Sequence, residues 1–477
     1  MLNAYVCPPM TKAIFFCIII SISIISLFGG SGCANIVPPA GGPKDTVPPR
    51  LVRAEPRDST VNFSGKHVTL TFDENIDLKQ QDLTDNVLFT PTFDKNPEIK
   101  VKGHNMTLTF QDSLIPNTTY VLNFGNAIKD LSEGNPIHDF SYTFSTGPAL
   151  DSLEMNGRVI LAETGGIDTT LMAMLHRDLS DSAIVKTNPM YMVRLDHNGA
   201  FHFKHLPKDT FALYILGDVG FSKRYNAATK TQLFAFLNNP VVAGVSDSLV
   251  LYAYREAQPL LRNAANTNAP RIPPNDRRLR FTLVTQGPHD LLEDFVLNFP
   301  VPLRTFDSTR LQLTMDSIFT ATPFSASLDS TKTALHIRSQ WKENTRYNLV
   351  LNRDFAADTA GRQLLKTDTV FFNTRKQSDY GNLVIRLRNV DLSKNPVLQF
   401  VQNNAVVFSS PVRDGTFSRP LFLPGEYELR VLYDTNGNGK WDPGHFFGTK
   451  KQPEIVHPVA QKITVKPNWD NEFERNL

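Results

Sequence analysis

One short segment of the chain carries oxygen-bearing side chains at the spacing of a calcium-binding loop. It reads Asp434-Thr435-Asn436-Gly437-Asn438-Gly439-Lys440-Trp441-Asp442. Asp434, Asn436 and Asn438 stand at the first, third and fifth positions, a glycine that permits a sharp turn stands at the sixth, and Asp442 supplies a carboxylate at the ninth. The spacing predicts a site for calcium or a similar hard cation, and the sequence indicates no other cofactor.

A second interpretation of the same segment stays open. The twelfth position is His445, where an EF-hand has a bidentate glutamate, and Glu454 is the nearest candidate to replace it. Without an ion, the segment would be an Asx-rich hairpin turn closed by glycines, with Trp441 packed beneath it. The corresponding segment 217–223 lacks the ligands, so an ion would stabilise one module rather than catalyse a reaction.

Residues that could perform catalysis do not form a recognisable set. Carboxylate pairs occur at Asp73-Glu74 and Glu293-Asp294, each at the edge of a predicted strand, where solvated charge is common. The sequence contains no Gly-x-Ser-x-Gly motif and no phosphate-binding glycine loop. We therefore predict no catalytic residue and expect a non-enzyme. The formal net charge of +2 gives no indication of a nucleic-acid partner.

Cys33 also has a possible chemical role. It follows an uncharged apolar stretch, residues 13–28, which begins after Lys12 and ends in small residues. This arrangement resembles a bacterial lipoprotein signal, in which the chain is cut before the cysteine and the cysteine is acylated. Gly30 stands where such signals usually have leucine. Uncleaved anchoring and simple secretion remain alternatives, and translation could start at Met1 or Met10.

The lipoprotein resemblance implies a location and an organisation. Residues 1–32 would be the signal peptide and residues 33–48 a tether rich in proline and glycine. The membrane would be a partner through the lipid anchor, and the protein would lie in the cell envelope outside the cytoplasm, in the outer membrane. Cys7 and Cys17 also fall in the leader, so no internal disulfide is expected.

Asp followed by Ser or Thr, and then by an apolar residue or Thr, recurs along the chain and resembles a sequence that is O-glycosylated in some Gram-negative envelope proteins. Thr46 and Ser59 are the predicted acceptors. The alternative is that these pairs open turns, because their side chains bond local backbone groups. The aspartates concerned are Asp45, Asp58, Asp112, Asp151, Asp168, Asp181, Asp247, Asp307, Asp316, Asp329, Asp358 and Asp368.

The elements that would position these residues come from two kinds of repeat. Phe72, Phe110 and Tyr120 correspond, at one constant offset, to Phe299, Ile337 and Tyr347. The segments around them are short, alternate apolar with polar residues and are separated by turn residues, as in antiparallel sandwiches. They predict module 1 at residues 49–148 and module 3 at residues 278–377.

Module 1 resembles the bacterial Ig-like domains of S-layer and other envelope proteins. The resemblance rests on the proline-rich start, the strand at residues 68–77, the turn and strand at residues 114–120 and the closing strand at residues 144–146. Module 3 is interpreted as a divergent copy, because Pro300-Val301 replaces Asp73-Glu74 and Glu343 replaces Pro116.

A second pattern predicts module 2 at residues 151–257 and module 4 at residues 380–477. The segments 196–203, 206–207 and 211–214 recur as 413–417, 423–425 and 427–430. This pattern resembles transthyretin-like sandwiches of the carboxypeptidase-regulatory type. Residues 258–277 would be a linker. The predicted fold class is therefore all-β, with four tandem β-sandwich modules that alternate between Ig-like and transthyretin-like.

This organisation favours a binding, adhesive or scaffolding protein whose partner is an unknown envelope protein or glycan. The step rests on analogy between folds, because such folds host many functions. The alternative is an accessory or carbohydrate-processing enzyme with a site built from loops. A concave pocket with convergent acidic groups would favour the enzyme, and flat polar loops with an open sheet edge would favour binding.

Overall fold

The computed structural model describes residues 44–217, 222–245, 248–256, 278–284, 287–315 and 319–477. Strands dominate this part of the chain, which confirms the predicted all-β class. Its helices are short, and none is long and apolar enough to span a membrane. They are α1 (Gln80–Asn86), α2 (Ala183–Lys186) and the 3-10 turns Ser308–Arg310, Gln377–Asp379 and Leu392–Lys394.

Module 1 folds as two facing sheets. Its strands are β1 (Leu51–Glu55), β2 (His67–Phe72), β3 (Ile76–Asp77), β4 (Leu88–Thr90), β5 (Glu98–Lys102), β6 (Asn105–Thr109), β7 (Thr119–Gly125), β8 (Lys129–Asp130) and β9 (Phe140–Ser145). One sheet has the order β1-β2-β6-β5, the other has the order β4-β7-β9, and β3 pairs with β8. Alternate residues point inward, so Val68, Leu70, Leu122 and Phe124 share one core.

Module 2 has a different topology. Its strands are β10 (Leu153–Leu161), β11 (Leu171–His176), β12 (Tyr191–Arg194), β13 (Ala200–Leu206), β14 (Thr210–Gly217), β15 (Phe234–Phe236), β16 (Val241–Val242) and β17 (Leu249–Ala253). One sheet has the order β13-β10-β17, in which β10 and β17 are parallel. The other has the order β12-β11-β14-β15, and β16 adds to β14.

Module 3 repeats the sheet orders of module 1. Its strands are β18 (Thr282–Leu283), β19 (Phe295–Asn298), β20 (Leu303–Phe306), β21 (Leu311–Met315), β22 (Thr320–Ala321), β23 (Ser325–Leu328), β24 (Ala334–Arg338), β25 (Arg346–Leu351), β26 (Ala356–Asp358) and β27 (Asp368–Asn373). The order β18-β19-β24-β23 matches β1-β2-β6-β5, and β21-β25-β27 matches β4-β7-β9, with β22 added beside β21.

The repeat extends to single hydrogen bonds. The hydroxyl of Tyr120 accepts the Ile115 backbone N–H at 2.8 Å, and the hydroxyl of Tyr347 accepts the Lys342 N–H at 2.9 Å. Each tyrosine therefore fixes the turn five residues before it. This agreement supports the alignment of the two Ig-like units that the sequence predicts.

Module 4 repeats the topology of module 2. Its strands are β28 (Gly381–Arg388), β29 (Pro396–Gln402), β30 (Ala405–Pro411), β31 (Thr416–Phe422), β32 (Gly425–Tyr433), β33 (Ile455–Pro458), β34 (Ile463–Val465) and β35 (Asp470–Asn476). The sheets run β31-β28-β35 and β30-β29-β32-β33, with β34 on β32, and β28 is parallel to β35. The boundaries of the four modules stay a prediction.

Neighbouring modules are joined by specific contacts. Thr92 N–H donates to the Met190 carbonyl at 2.8 Å between modules 1 and 2. The Tyr380 hydroxyl accepts the Leu291 N–H at 2.8 Å between modules 3 and 4. Modules 2 and 4 also touch, although module 3 lies between them in sequence. This third contact comes from the segment that carries the predicted calcium ligands.

Candidate functional site

The predicted ligands lie in the connection between β32 and β33, which we call the 434–454 loop. Asp434 begins the loop and is only 2% exposed. One of its carboxylate oxygens accepts the Gly437 N–H at 2.7 Å, and the other accepts the Gly439 N–H at 2.6 Å. Both glycines have positive φ values, 73° and 74°, which let the backbone curl around the carboxylate.

The other three predicted ligands lie in the same turn. Asn436 and Asn438 both donate side-chain N–H groups to one oxygen of Asp442, and the Asn438 contact measures 2.8 Å. The side-chain oxygen of Asn436 accepts the Asn438 N–H at 3.1 Å, and that of Asn438 accepts the Lys440 N–H at 2.7 Å. The structure thus brings all four predicted residues together as a hydrogen-bonded turn.

Glu454 closes the loop from its far end. This residue is 3% exposed, and its Oε1 accepts the backbone N–H of Thr435 at 2.8 Å. Its Oε2 accepts the Asp442 N–H at 3.1 Å. The carboxylate that the sequence offered in place of His445 therefore reaches the loop, while His445 itself is exposed.

The donor set of the loop suits a hard cation, because it consists of carboxylate and amide oxygens. Asp434, Asn436, Asn438 and Asp442 are the side chains that would hold such an ion. In the structure these groups bond to each other and to the loop backbone. Within the described ranges, no three His, Cys, Asp or Glu side chains form a group that could hold a metal. The arrangement is that of an Asx-rich turn closed by glycines, and the binding of an ion stays a prediction.

The second half of the 434–454 loop packs onto module 2. Phe446 is fully buried, and its ring lies 5.1 Å from the ring of Phe234 and 4.9 Å from that of Phe236. Phe447 lies against Tyr225, whose segment 218–233 is the counterpart of the loop in module 2. We call this cluster the aromatic contact. It buries the outer face of the sheet β12-β11-β14-β15.

Polar groups surround the aromatic contact. Glu256 is 3% exposed, and its Oε1 accepts the Phe446 N–H at 2.9 Å. Lys230 lies 2.7 Å from Glu256 Oε2, so the buried carboxylate has a cationic partner. Lys450 forms an ion pair with Asp181 at 2.6 Å. The bonds from Phe446 to Glu256 and from Lys450 to Asp181 hold the loop of module 4 to module 2.

Sequence reasoning missed the aromatic contact, although one signal was present. Residues 171–175 and 211–216 are continuous apolar runs instead of alternating ones. Such runs are typical of strands buried on both faces. In the structure, Leu171, Ala173 and Leu175 face the module 2 core, and Met172 and Met174 face the aromatic contact.

The carboxylate pairs have structural partners. Asp73 accepts the Arg50 N–H at 2.7 Å. Asp294 binds Arg338 at 2.8 Å, and this hydrogen bond lowers the pKa of Asp294 below its usual value. Glu293 pairs with Arg419 of module 4 at 3.0 Å. Asp73, Glu293 and Asp294 therefore have structural partners, and the absence of a catalytic role stays a prediction.

The predicted modification sites fall in two groups. Cys33 lies outside the described residues, so its lipidation stays a prediction. Thr46 and Ser59 are both exposed. Many of the Asp-Ser and Asp-Thr pairs make local turn bonds; Asp168, for example, accepts the Thr170 N–H at 2.9 Å, and Asp307 accepts the Thr309 N–H at 2.9 Å.

A concave site lies elsewhere, between modules 1 and 2. This inter-module cleft has a volume of about 800 Å³. Of the charged residues in its lining, the carboxylates are Asp139 and Asp196. Asp196 accepts the N–H groups of Asn198 and Ala200, each at 2.8 Å, and the bond from Ala200 is the main cause that lowers its pKa. Asp196 therefore stabilises a turn and is a poor proton donor.

Comparison with protein families gives one match. Residues 45–146 match the family model described as a bacterial Ig-like domain. This range agrees with module 1 and confirms its Ig-like character. No protein with a curated description matches the sequence significantly.

Solved structures match the chain only at low identity and with low TM-scores. The TIE protein of Bacillus anthracis is 10% identical, with 92% of this chain and 75% of that chain covered and a TM-score of 0.16. The major pilin subunit BcpA of Bacillus cereus is 10% identical, with 68% and 99% covered and a score of 0.17. The N-terminal part of the bacterial S-layer protein SbsC is 14% identical, with 40% and 43% covered and a score of 0.15. Scores this low carry no functional argument.

Proposed function

We propose that this protein is a lipid-anchored component of the cell envelope that binds or scaffolds other envelope molecules without catalysing a reaction. The aromatic contact is the observation that carries the proposal. In this contact, the 434–454 loop, which carries the predicted calcium ligands, holds module 4 against module 2. Its buried Phe446 and the hydrogen bond from the Phe446 N–H to the buried Glu256 carboxylate hold the modules in a fixed arrangement. The Ig-like character of residues 45–146 supports an extracytoplasmic surface role.

Lipid anchoring is tested by labelling in the native host. Labelled palmitate should enter the wild-type protein and the Cys17→Ala variant, and it should be lost from Cys33→Ala. Cys17 is the matched control because it lies inside the apolar stretch. Label that persists in Cys33→Ala would contradict the anchor.

The binding or scaffolding role is tested by crosslinking in intact envelopes, followed by purification of the full chain. Specific envelope proteins or glycans should be recovered with the wild-type protein. A purified chain that carries no crosslinked envelope component would contradict the role.

We also propose that the 434–454 loop binds calcium when the ion is available. Carboxylate and amide oxygens at this spacing are the ligands calcium prefers. Titration calorimetry should give heat with the wild-type chain and lose it in Asp442→Asn. Asp414→Asn is the control, because Asp414 caps another turn, at Thr416. A wild-type chain that shows neither heat nor a rise in melting temperature would remove the site.

Glycosylation at Thr46 and Ser59 remains a proposal that rests on their exposure and sequence context. Intact mass spectrometry of the protein from its native envelope should show added sugar mass. A mass equal to that of the bare lipidated chain would contradict it.

A further inference from the structure

The inter-module cleft lies between strands of module 1 and strands of module 2. From β7 and β9 of module 1, the polar residues Asn123, Ser141 and Thr143 line the cleft beside Val121. From β10 and β13 of module 2, the exposed residues Arg158 and Lys204 line the opposite side. Each side of the cleft therefore presents polar groups.

Hydrogen bonds between the modules fix the walls relative to each other. The Asp151 N–H donates to the Thr119 hydroxyl at 2.8 Å, and the Asp151 carbonyl lies 3.0 Å from Nδ1 of His205. Thr92 adds its bond to Met190 near the floor. The cleft is therefore formed before any ligand enters, as is usual for binding sites.

The chemistry of the lining points to a ligand rich in hydroxyl groups. Amide and hydroxyl side chains both donate and accept hydrogen bonds, which matches the hydroxyl groups of sugars. Asn123 and Asn156 supply amide groups and Ser141 supplies a hydroxyl to the lining.

The charges of the lining favour an acidic ligand. Arg158 is exposed and uses its Nε to donate to the Asn198 carbonyl at 3.0 Å. Lys204 is exposed and has no ion pair within the described ranges. Of the two carboxylates in the lining, Asp196 accepts the Ala200 N–H within its own turn, and Asp139 belongs to module 1. Carboxylates bind guanidinium and ammonium groups by strong charge-assisted hydrogen bonds.

We propose that the inter-module cleft binds an acidic oligosaccharide, with Arg158 and Lys204 at its carboxylates and Asn123 at its hydroxyl groups. The proposal rests on the proposed binding function and names its ligand class and site. Single-stranded nucleic acid fits less well, since its binding relies on exposed aromatic platforms for stacking.

The experiment is titration calorimetry of the full chain with a hexamer of galacturonic acid and with the neutral galactose hexamer. We expect the acidic hexamer to bind at least about tenfold more tightly than the neutral one, since charge-assisted bonds exceed neutral ones. The double variant Arg158→Ala/Lys204→Ala should lose about tenfold or more in affinity for the acidic hexamer. Asn123→Ala should weaken binding of both hexamers.

Arg386→Ala is the matched control. Arg386 holds the position in β28 that Arg158 holds in β10, but it pairs with Glu472 at 2.9 Å. Its affinity for the acidic hexamer should equal that of the wild type. Unchanged melting temperatures would show that all variants fold.

Three results would overturn the proposal: no binding of the acidic hexamer, equal binding of both hexamers, or unchanged affinity in the double variant. Crosslinked envelope partners recovered alongside any of these results would leave the binding function intact. The absence of both hexamer binding and crosslinked partners would overturn the two proposals together.

Discussion

Gly165 lies where the backbone of module 2 meets module 4. Its φ is +70°, and a Cβ placed on it would lie 2.2 Å from Cδ of Pro458 and 2.9 Å from the Val456 carbonyl oxygen. The neighbouring Val456 N–H donates to the Ala162 carbonyl at 2.9 Å. A side chain at Gly165 would therefore push the two backbones apart.

We predict that Gly165→Ala lowers the free energy of unfolding by about 2–4 kcal/mol, since overpacking adds to the cost of a left-handed alanine. Gly134→Ala is the control. Gly134 has a φ of +79° and open space around its Cβ position, so it should lose only about 1–2 kcal/mol. Urea denaturation measures both. Equal losses would mean that the approach to Pro458 is not tight in solution.

His176 makes stability depend on pH. It is 1% exposed, and burial lowers its pKa to about 4. The unfolded pKa is about 6.5, so the unfolded chain binds more protons between these values. The stabilising effect of the neutral ring is complete above pH 6.5 and is lost as the pH falls towards 4.

We predict that the wild-type chain loses about 3 kcal/mol of stability through His176 over that interval. His176→Gln should flatten the decline, and a smaller slope should remain because burial also lowers the pKa of His289. His104→Gln, at an exposed position, should leave the decline unchanged. Denaturant unfolding from pH 7.5 to 4.5 tests this, and parallel curves for the wild type and His176→Gln would contradict it.

At the scale of elements, the aromatic contact concentrates its packing on Phe446. The side chain fills a space between Tyr214, Phe234 and Phe236. We predict that Phe446→Ala weakens the contact by about 3–5 kcal/mol, the usual cost of removing a buried phenylalanine side chain. Calorimetry should then show the transitions of modules 2 and 4 separate. Trp469→Ala, whose ring is 63% exposed, should leave them unchanged.

The elements themselves could largely be predicted from the sequence. The Ig-like repeat was visible because the segments that lead to Phe72 and Phe299 have the same alternation, and alternation is a local property. The parallel pairing of β10 with β17 was not visible. It joins segments about 90 residues apart, and neither segment's own pattern specifies its partner.

The candidate site could be predicted only in part. The grouping of Asp434, Asn436, Asn438 and Asp442 follows from short-range spacing. The burial of Phe446 does not follow from spacing, because it depends on the outer face of a sheet in another module. The inter-module cleft could not be predicted from local spacing either, because its two sides come together only after modules 1 and 2 have packed.

At the scale of the whole molecule, the contact between modules 2 and 4 joins the two halves of the chain. A protease recognition sequence inserted between Asn263 and Asn268 allows the chain to be cut outside the described residues. We predict that the two fragments co-elute from a sizing column after cleavage, because the aromatic contact, the hydrogen bond from Phe446 to Glu256 and the ion pair between Lys450 and Asp181 remain. The same cut in a Phe446→Ala chain should release them. Release of the wild-type fragments would show that the contact is too weak to act alone.

This contact also determines how the molecule would respond to a mechanical load. A pull applied between module 1 and module 4 would pass directly across the aromatic contact from module 2. Module 3, which stands between modules 2 and 4 in sequence, would bear the load only after that contact opened. The molecule would then lengthen before any sandwich unfolded. The aromatic contact of an anchored protein would thus open under load and re-form when the load is removed.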